Sequence, residues 1–539
     1  MPINVTITAE ELKELLAARD ALGAVLQERD ELRGTLRLVT AERDLAEERL
    51  RAYKRELFGA SSESRESDQL GLFNEAEALT VSGGQPAQED TANTAVSAHT
   101  RKKRGRKPLE PSLPREVVRH ELPESERFCG HDGHALVEIG VEISEQLDVI
   151  PEHIRVIQHQ RVKYACPCCD LGIKVTPPPP RIIPRGLLTE SALAWIITGK
   201  YQFGMPIYRQ AGLLRRFGGD ISSNTVAVSV VRVGLATQPV INLMRDTLLE
   251  ADLIYGDETT FQVLKESGRR PQTKSYVWAQ MNGSGPPIRL FTYTPGRGAK
   301  HAAQLYAGVR SGAALMTDGY ELYSGIAHDH QLVHLGCWAH SRRAFVKAED
   351  TVPKSARTPD LLSTRFINLI GKLFAAEARS AKWSAVRRLR LRRRYSARVL
   401  AVIEQLLIEH LPAVVPGSML GKALQYLNRQ WHKLSRYIEN GDYPISNNAC
   451  ENEIRPFVVA RKGFLFADTV SGAHASANLY SLVQSARANG VDPYRYLTWL
   501  LRGLPLAQTV DDYAALLPWN MPAEVRQVIA QFNNPDGRR

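Results

Sequence analysis

The sequence is short of the features that place a chain in a membrane or outside a cell. No apolar run approaches the ~20 residues that a bilayer-spanning helix needs, and the opening MPINVTITAEELKELL lacks the basic stretch and apolar core of a secretion signal. Cysteine is scarce, six in 539 residues, which excludes a disulfide-built scaffold. Four of the six cluster as Cys129, Cys166, Cys168 and Cys169, the pattern of a metal site in a reducing compartment. Acid is in deficit: Asp+Glu is 58 against Lys+Arg 69, giving a net charge of +11 and a pI near 9.3. That balance favours an anionic partner, nucleic acid first. Apolar residues make up 43% of the chain, enough for sizeable cores. The length suits about three or four domains at roughly 150 residues each.

Residues 8–58 read as one long helix. With Leu15 at heptad position a, the a series is Leu15, Leu22, Arg29, Leu36, Arg43, Leu50 and Leu57, and the d series is Ala18, Val25, Leu32, Val39, Ala46 and Tyr53. This 3.5-residue stripe favours a coiled coil, with Arg29 and Arg43 weakening the seam; a helix packed on its own chain is the bland alternative. The next segment is rich in Ser, Gly, Gln, Thr and Glu and reads as a disordered linker. It runs into Arg101-Lys102-Lys103-Arg104-Gly105-Arg106-Lys107-Pro108, which is similar to an AT-hook lying in an A·T-rich minor groove. A solvated charge run accounts for it equally well.

The cysteine cluster frames alternating strand-like residues, as in a small zinc ribbon. Cys166 and Cys169 form a C-x2-C knuckle, and the first arm, Cys129-Gly-His131-Asp132-Gly-His134, holds one cysteine. Four ligands close a structural zinc site, so three thiolates need His131, Asp132 or His134 as the fourth, with Cys168 spare. Prolines at 177–180 mark a boundary. Beyond it, residues 206–234 read as helix, glycine turn, N-cap serine and helix, which is helix-turn-helix-like or simply two packed helices.

From 250 the period changes. Three strand candidates, the first around Asp257, precede a helix, then an apolar strand ending at Asp318, then a strand passing into a helix. That order describes a mixed sheet of ribonuclease-H type, in which a carboxylate on the first strand lies beside one at the tip of the fourth. Two carboxylates about 4 Å apart repel unless a cation bridges them, and hard oxygen ligands suit Mg2+ or Mn2+. Two such ions serve phosphoryl transfer. Residues 351–440 are helical and basic, as in RRLRLRRRYSARVL at 387–400, and look like an insertion that could lie on phosphates or be a solvated face. In the stretch from Asp442 to Ala473, Ser446 and two asparagines suit a helix N-cap. Glu451 and Glu453 follow in the first turns, about 200° apart on a helix, so only one can face a given site. Position alone does not choose between them, and either suits a positive helix end.

With these residues in place, the chain resembles a transposase of the insertion sequence sixty-six family, a DDE-type bacterial recombinase. The likeness runs through RAYKRELFGASSESR, RGRKPLEPSLPREVVRHELP, IYGDETTFQVL, LMTDGY, GCWAHSRRAF, NNACENEIRPFVVARKGFLF and SLVQSARANGVDPYRYLTWLL. The resemblance implies a catalytic triad of Asp257, Asp318 and Glu451 holding two Mg2+ or Mn2+ ions, with Glu453 as runner-up. It implies structural Zn2+ on Cys129, His131, Cys166 and Cys169, though Asp132 stands where the family usually has a second cysteine. Cys337 and His340 match a C-x2-H signature and are taken as site-supporting. Arg104, Arg106, Lys107, Arg455, Arg461 and Lys462 are expected at DNA.

The expected fold is a multidomain α+β chain. It has a coiled coil at 8–58, a disordered basic linker at 59–115, a zinc-ribbon-like domain at 116–176 and a helical DNA-binding segment at 187–249. A ribonuclease-H-like mixed α/β catalytic core follows at 250–350 and 441–475, with a helical insertion at 351–440 and a C-terminal helical tail at 476–539. The expected partners are double-stranded DNA (transposon ends and target), a second copy through the coiled coil and small accessory proteins of the same element. No membrane partner is expected, and the expected location is the bacterial cytoplasm at the nucleoid. A nuclease without transfer activity, or an inactive DNA-binding regulator, would share most of these features.

Overall fold

The computed structural model describes residues 8–58, 156–159, 163–165, 173–175 and 178–526. The zinc candidates Cys129, His131, Asp132, His134, Cys166 and Cys169, and the basic-run residues Arg104, Arg106 and Lys107, lie outside the described residues. Of that region, strands β1 (Lys163–Ala165) and β2 (Ile173–Val175) pair antiparallel on either side of the cysteine knuckle in sequence.

Helix α1 (Ala9–Phe58) is 50 residues long, about 75 Å at 1.5 Å per residue. Leu22, Leu36 and Leu50 from the a series and Val25, Leu32 and Val39 from the d series are exposed on it. Glycine appears in it only where the helix tolerates its cost, and no proline interrupts it.

Four helices precede the sheet: α2 (Glu190–Tyr201), α3 (Ile207–Arg216), α4 (Ser223–Ala236) and α5 (Gln238–Leu249). Helices α3 and α4 are separated by a turn with Gly218 at φ +87°, a backbone shape that L side chains rarely adopt. Ser222 then caps α4, its hydroxyl accepting from the Thr225 amide.

The sheet has six strands. β3 (Leu253–Lys265), β4 (Lys274–Asn282) and β5 (Arg289–Thr294) form an antiparallel meander rich in β-branched and aromatic residues. After α6 (Ala299–Leu305), β6 (Ala314–Met316) pairs parallel with β3; after α7 (Leu322–Asp329), β7 (Val333–Leu335) pairs parallel with β6. The strand order is β5-β4-β3-β6-β7, and a short β8 (Ala467–Thr469) adds to the far end of β3.

Chain then leaves the sheet through α8 (Trp338–Glu349) into a helical block: α9 (Leu362–Ser380), α10 (Ala385–Leu391), a π turn at Arg392–Ser396, α11 (Ala397–His410) and α12 (Met419–Leu434). The block has its own apolar core, around Phe345, Phe366, Ile370 and Leu424. Arg392 is buried in it, with Glu377 as ion partner and the Tyr437 and Asn440 carbonyls as acceptors, so its charge is paired rather than stranded.

The chain returns as α13 (Asn448–Phe464), β8 and α14 (Val470–Ala488). Helix α14 is buried along most of its length and closes the β5 edge: its Ser481 and Ser485 hydroxyls accept the Phe291 and Arg289 amides at 2.8 and 2.9 Å. That removes an exposed strand edge. Helix α14 is therefore a layer of the sheet's own core, and residue 476, where a separate tail was expected to begin, falls inside it. Helices α15 (Pro493–Gly503), α16 (Val510–Ala515) and α17 (Ala523–Arg526) complete the described chain. Among the described residues no single helix is long and apolar enough to cross a membrane.

Candidate catalytic site

The parallel register of β3 and β6 aligns Leu253 with Ala314 and Tyr255 with Met316. Carried two residues further, it sets Asp257 on β3 opposite Asp318, which lies in the loop two residues past β6, and the two are close enough to interact electrostatically. Glycines adjoin both acids because aromatic side chains crowd the backbone there. A Cβ at Gly256 would run into the Tyr306 hydroxyl, and one at Gly319 would sit 2.7 Å from the Tyr426 hydroxyl.

Helix α13 brings the third acid. Cys450, Ile454 and Phe457 are buried at i, i+4 and i+7, the stripe expected of a helix lying on a sheet. Phe457 meets Phe261, Phe291 and Tyr480 at ring separations of 5.4, 6.3 and 5.2 Å. The Cys450 thiol points at the carbonyl of Ala279, the residue paired with Asp257 across β3 and β4. Asn447 occupies the N-cap position, yet its side chain caps no helix amide; it donates to the Gly256 carbonyl at 3.0 Å. The helix start is thereby tied to the strand immediately before Asp257.

This docking separates the two glutamates. Glu451 is buried; its Oε2 lies 3.4 Å from the Arg343 guanidinium and its Oε1 lies 3.5 Å from His340 Nδ1, both from α8. Glu453 points elsewhere and pairs with Arg289 on β5 at 3.0 Å. Asp257, Asp318 and Glu451 are close enough to act on one another electrostatically. Burial pushes the Asp257 carboxyl well above the usual carboxylate range, and the charges of Glu258, Asp318 and Glu451 push it further, against one bond from the Glu258 amide.

Glu258 is a fourth acid at the site. Burial raises its carboxyl, opposed mainly by the Tyr323 hydroxyl and the Arg297 guanidinium that hydrogen-bond to it. Arg297 stacks on the Tyr320 ring at 3.6 Å, and the Tyr320 amide donates to Asp318 Oδ1 at 2.9 Å. A closed circuit thus runs from Asp257 through Glu258, Arg297 and Tyr320 to Asp318. Sequence reading missed Glu258, Arg297, Arg343 and Asn447. Arg343 alone carried a signal, standing one turn after His340 on an α-helix.

Four carboxylates gather here, and Asp257 is pushed towards its protonated form by burial first and by the other acids next. Oxygen donors of this kind fit a hard divalent cation such as Mg2+ or Mn2+. Cys337 and His340 stand beside Glu451 at the start of α8. Of the residues expected at DNA, Lys462 is exposed and Arg455 is half-buried. Arg461 turns inward, its guanidinium bonding the Thr260 carbonyl and hydroxyl on β3.

Comparison with known proteins identifies the family. A family described as "Transposase IS66 family" matches residues 185–475, more than half of the chain and the whole of the sheet, the helical block and α13. An "IS66 C-terminal element" matches 481–519. A "zinc-finger binding domain of transposase IS66" matches 126–170, which spans Cys129, His131, Cys166 and Cys169 and supports zinc there. A fourth, "Transposase C of IS166 homeodomain", matches 46–118. Among curated proteins, the chain is 31% identical over 418 residues to the uncharacterized protein y4qI of Sinorhizobium fredii (strain NBRC 101917 / NGR234), covering 75% of each chain. It is 28% identical over 487 residues to the uncharacterized protein y4hP of the same organism, covering 86% of each. The chain belongs to the IS66 family of transposases, DNA-binding proteins of insertion sequences.

Proposed function

We propose that this chain binds the ends of its insertion sequence and catalyses metal-dependent DNA strand cleavage and strand transfer on a ribonuclease-H-like core. The observation that carries the reading is the convergence of Asp257, Asp318 and Glu451 from β3, the end of β6 and α13, with the Asp257 carboxyl raised by burial and by the other acids. The strand order, an antiparallel meander followed by two parallel strands, supports the ribonuclease-H likeness.

Asp257, Asp318 and Glu451 would hold the cations, which when bound supply Lewis acidity to the attacking oxygen and charge to the leaving one. The protein's own residues fix the donors. Arg343 holds Glu451, the Tyr320 amide holds Asp318, and Asn447 holds α13 against β3. In the first reaction, water forms a new P–O bond and the P–O3′ bond breaks, leaving a 3′-hydroxyl on the element end. In the second, that hydroxyl attacks a target phosphate and the target's own O3′ leaves. Lys462, helices α3 and α4 with exposed Arg215 and Arg216, the zinc segment and the basic run around Arg104, Arg106 and Lys107 would hold the DNA, which makes binding salt-dependent. The exposed heptad stripe of α1 would pair two protomers, as two DNA ends must be joined.

The test uses purified protein, the element's end DNA, a plasmid target and Mg2+ or Mn2+. Wild type should nick and join; Asp257→Asn and Glu451→Gln should bind and do neither; Glu453→Gln should retain both. Cutting without joining indicates a nuclease. Cutting by Asp257→Asn at the wild-type rate overturns the assignment.

A further inference from the structure

Cys337, His340 and Glu451 bring a thiol sulfur, an imidazole nitrogen and a carboxylate oxygen within 4.8 Å of one another. Two independent features mark this as a site with something to hold. First, His340 Nδ1 and Glu451 Oε1 are buried and 3.5 Å apart, and neither has a hydrogen-bond partner among the described residues. An unmet buried polar atom costs about 1–3 kcal/mol, and an ion between these two atoms would satisfy both at once. Second, the Cys337 sulfur accepts a backbone amide from the residue that opens α13. The Asn447 backbone amide donates to it at 3.2 Å. An amide donated to sulfur is the kind of bond that a ligating thiolate accepts.

The spacing is suitable. Cys337 is the N-cap residue of α8 and His340 lies one turn in, so both face the start of α13. Tetrahedral ligation at ~2.0–2.3 Å separates donor atoms by about 3.3–3.8 Å. Side-chain adjustments of roughly one ångström therefore close the set. Sulfur and imidazole select a thiophilic ion, unlike the all-oxygen pair Asp257 and Asp318.

We propose that Cys337, His340 and Glu451 form a binding site for a divalent ion of the zinc class, distinct from the hard-cation site, with Glu451 as the ligand common to both. Binding releases the Cys337 thiol proton to solvent. It also commits the Glu451 charge to the soft ion, so occupancy antagonises Mg2+ at Asp257 and Asp318. Ion binding stands on the cluster alone; the antagonism rests on the catalytic reading above.

The experiment is equilibrium dialysis of the full chain against Zn2+, followed by elemental analysis, for wild type, Cys337→Ser, His340→Gln and Asp257→Asn. The zinc segment contributes equally to all four, so only differences count. Wild type and Asp257→Asn should each hold one more ion per chain than Cys337→Ser and His340→Gln. Equal zinc content in all four overturns the site. If Cys337→Ser does not fold, His340→Gln carries the comparison, and loading with Co2+ should show a thiolate charge-transfer band that is weaker in His340→Gln than in wild type. An undiminished band overturns the site. If the zinc difference is found and wild type does not cut DNA in Mg2+, the catalytic reading fails and the ion site stands. If cutting is found without the zinc difference, the reverse holds.

Discussion

Replacing Gly319 by alanine tests how tightly the second acid is held. Gly319 follows Asp318, and its backbone lies outside the left-handed region, so alanine is acceptable there on conformational grounds. What forbids it is Tyr426 of α12, whose hydroxyl would lie 2.7 Å from the new Cβ. Ordinary contact begins near 3.4 Å, so the loop or the ring must yield by roughly 0.7 Å. Gln430 from the same helix donates to the Gly319 carbonyl at 3.3 Å and resists the shift. Overpacking of this kind costs about 1–3 kcal/mol, which a folded domain survives. Misplacement of a catalytic group by ~1 Å costs on the order of 10²-fold in rate. Gly319→Ala should therefore stay folded, lose a few degrees of Tm and nick end DNA on the order of ten to a hundred times more slowly. Adding Tyr426→Phe removes the closest atom and leaves ring carbons at 3.0 and 3.1 Å. The double variant should regain most of the rate. A single variant as fast as wild type, or a double variant no faster than the single, refutes the steric account.

Other expectations follow from the same structure. Phe457→Ala should lower stability by about 3–5 kcal/mol, read by denaturant unfolding, because it empties the aromatic cluster beneath α13. Asp257 and Glu258 have folded-state values raised above their unfolded ones, so without metal their stabilising contribution is present below the unfolded values near 3.8 and 4.5 and is lost as pH rises through the folded ones. The Tm gain on adding Mg2+ should then grow with pH in scanning fluorimetry and shrink in Asp257→Asn; a gain that is flat with pH would count against the acid cluster. If α1 pairs two protomers as proposed, Leu22→Asp with Leu36→Asp should yield a monomer in sedimentation equilibrium, since both side chains lie on the exposed heptad stripe of α1; a double variant that still associates refutes pairing through that stripe.

Much of this was legible in the sequence because the signals were local. A 3.5-residue stripe foretells α1, and β-branched alternation foretells β3, β4 and β5. The facing of Asp257 and Asp318 follows from strand order alone. The choice of Glu451 over Glu453 was not legible from position, because it depends on partners far along the chain: Arg343 and His340 on α8 for one, Arg289 on β5 for the other. Glu258 was hidden for a different reason. Neighbours on a strand point to opposite faces, so an acid beside Asp257 reads as one turned away. Beyond the end of the β6 ladder, Arg297 and Tyr323 draw it into the site's network. Asn447 looked like a helix cap, and no local rule announces that its side chain serves the Gly256 carbonyl instead.

The late arrival of α13 and α14 sets an order of events during synthesis. A ribosome delivers the proposed DNA-binding segments other than Lys462 first, then Asp257 and Asp318. The roughly 130 residues from Asp318 to Glu451 need on the order of ten seconds more at ~5–20 residues per second. Until then β3 lacks its β8 partner, β5 has an open edge and the acid set is incomplete. On the proposed function, a chain interrupted in that interval would carry most of the proposed DNA-binding segments without the full acid set, and would compete with the whole protein for its sites.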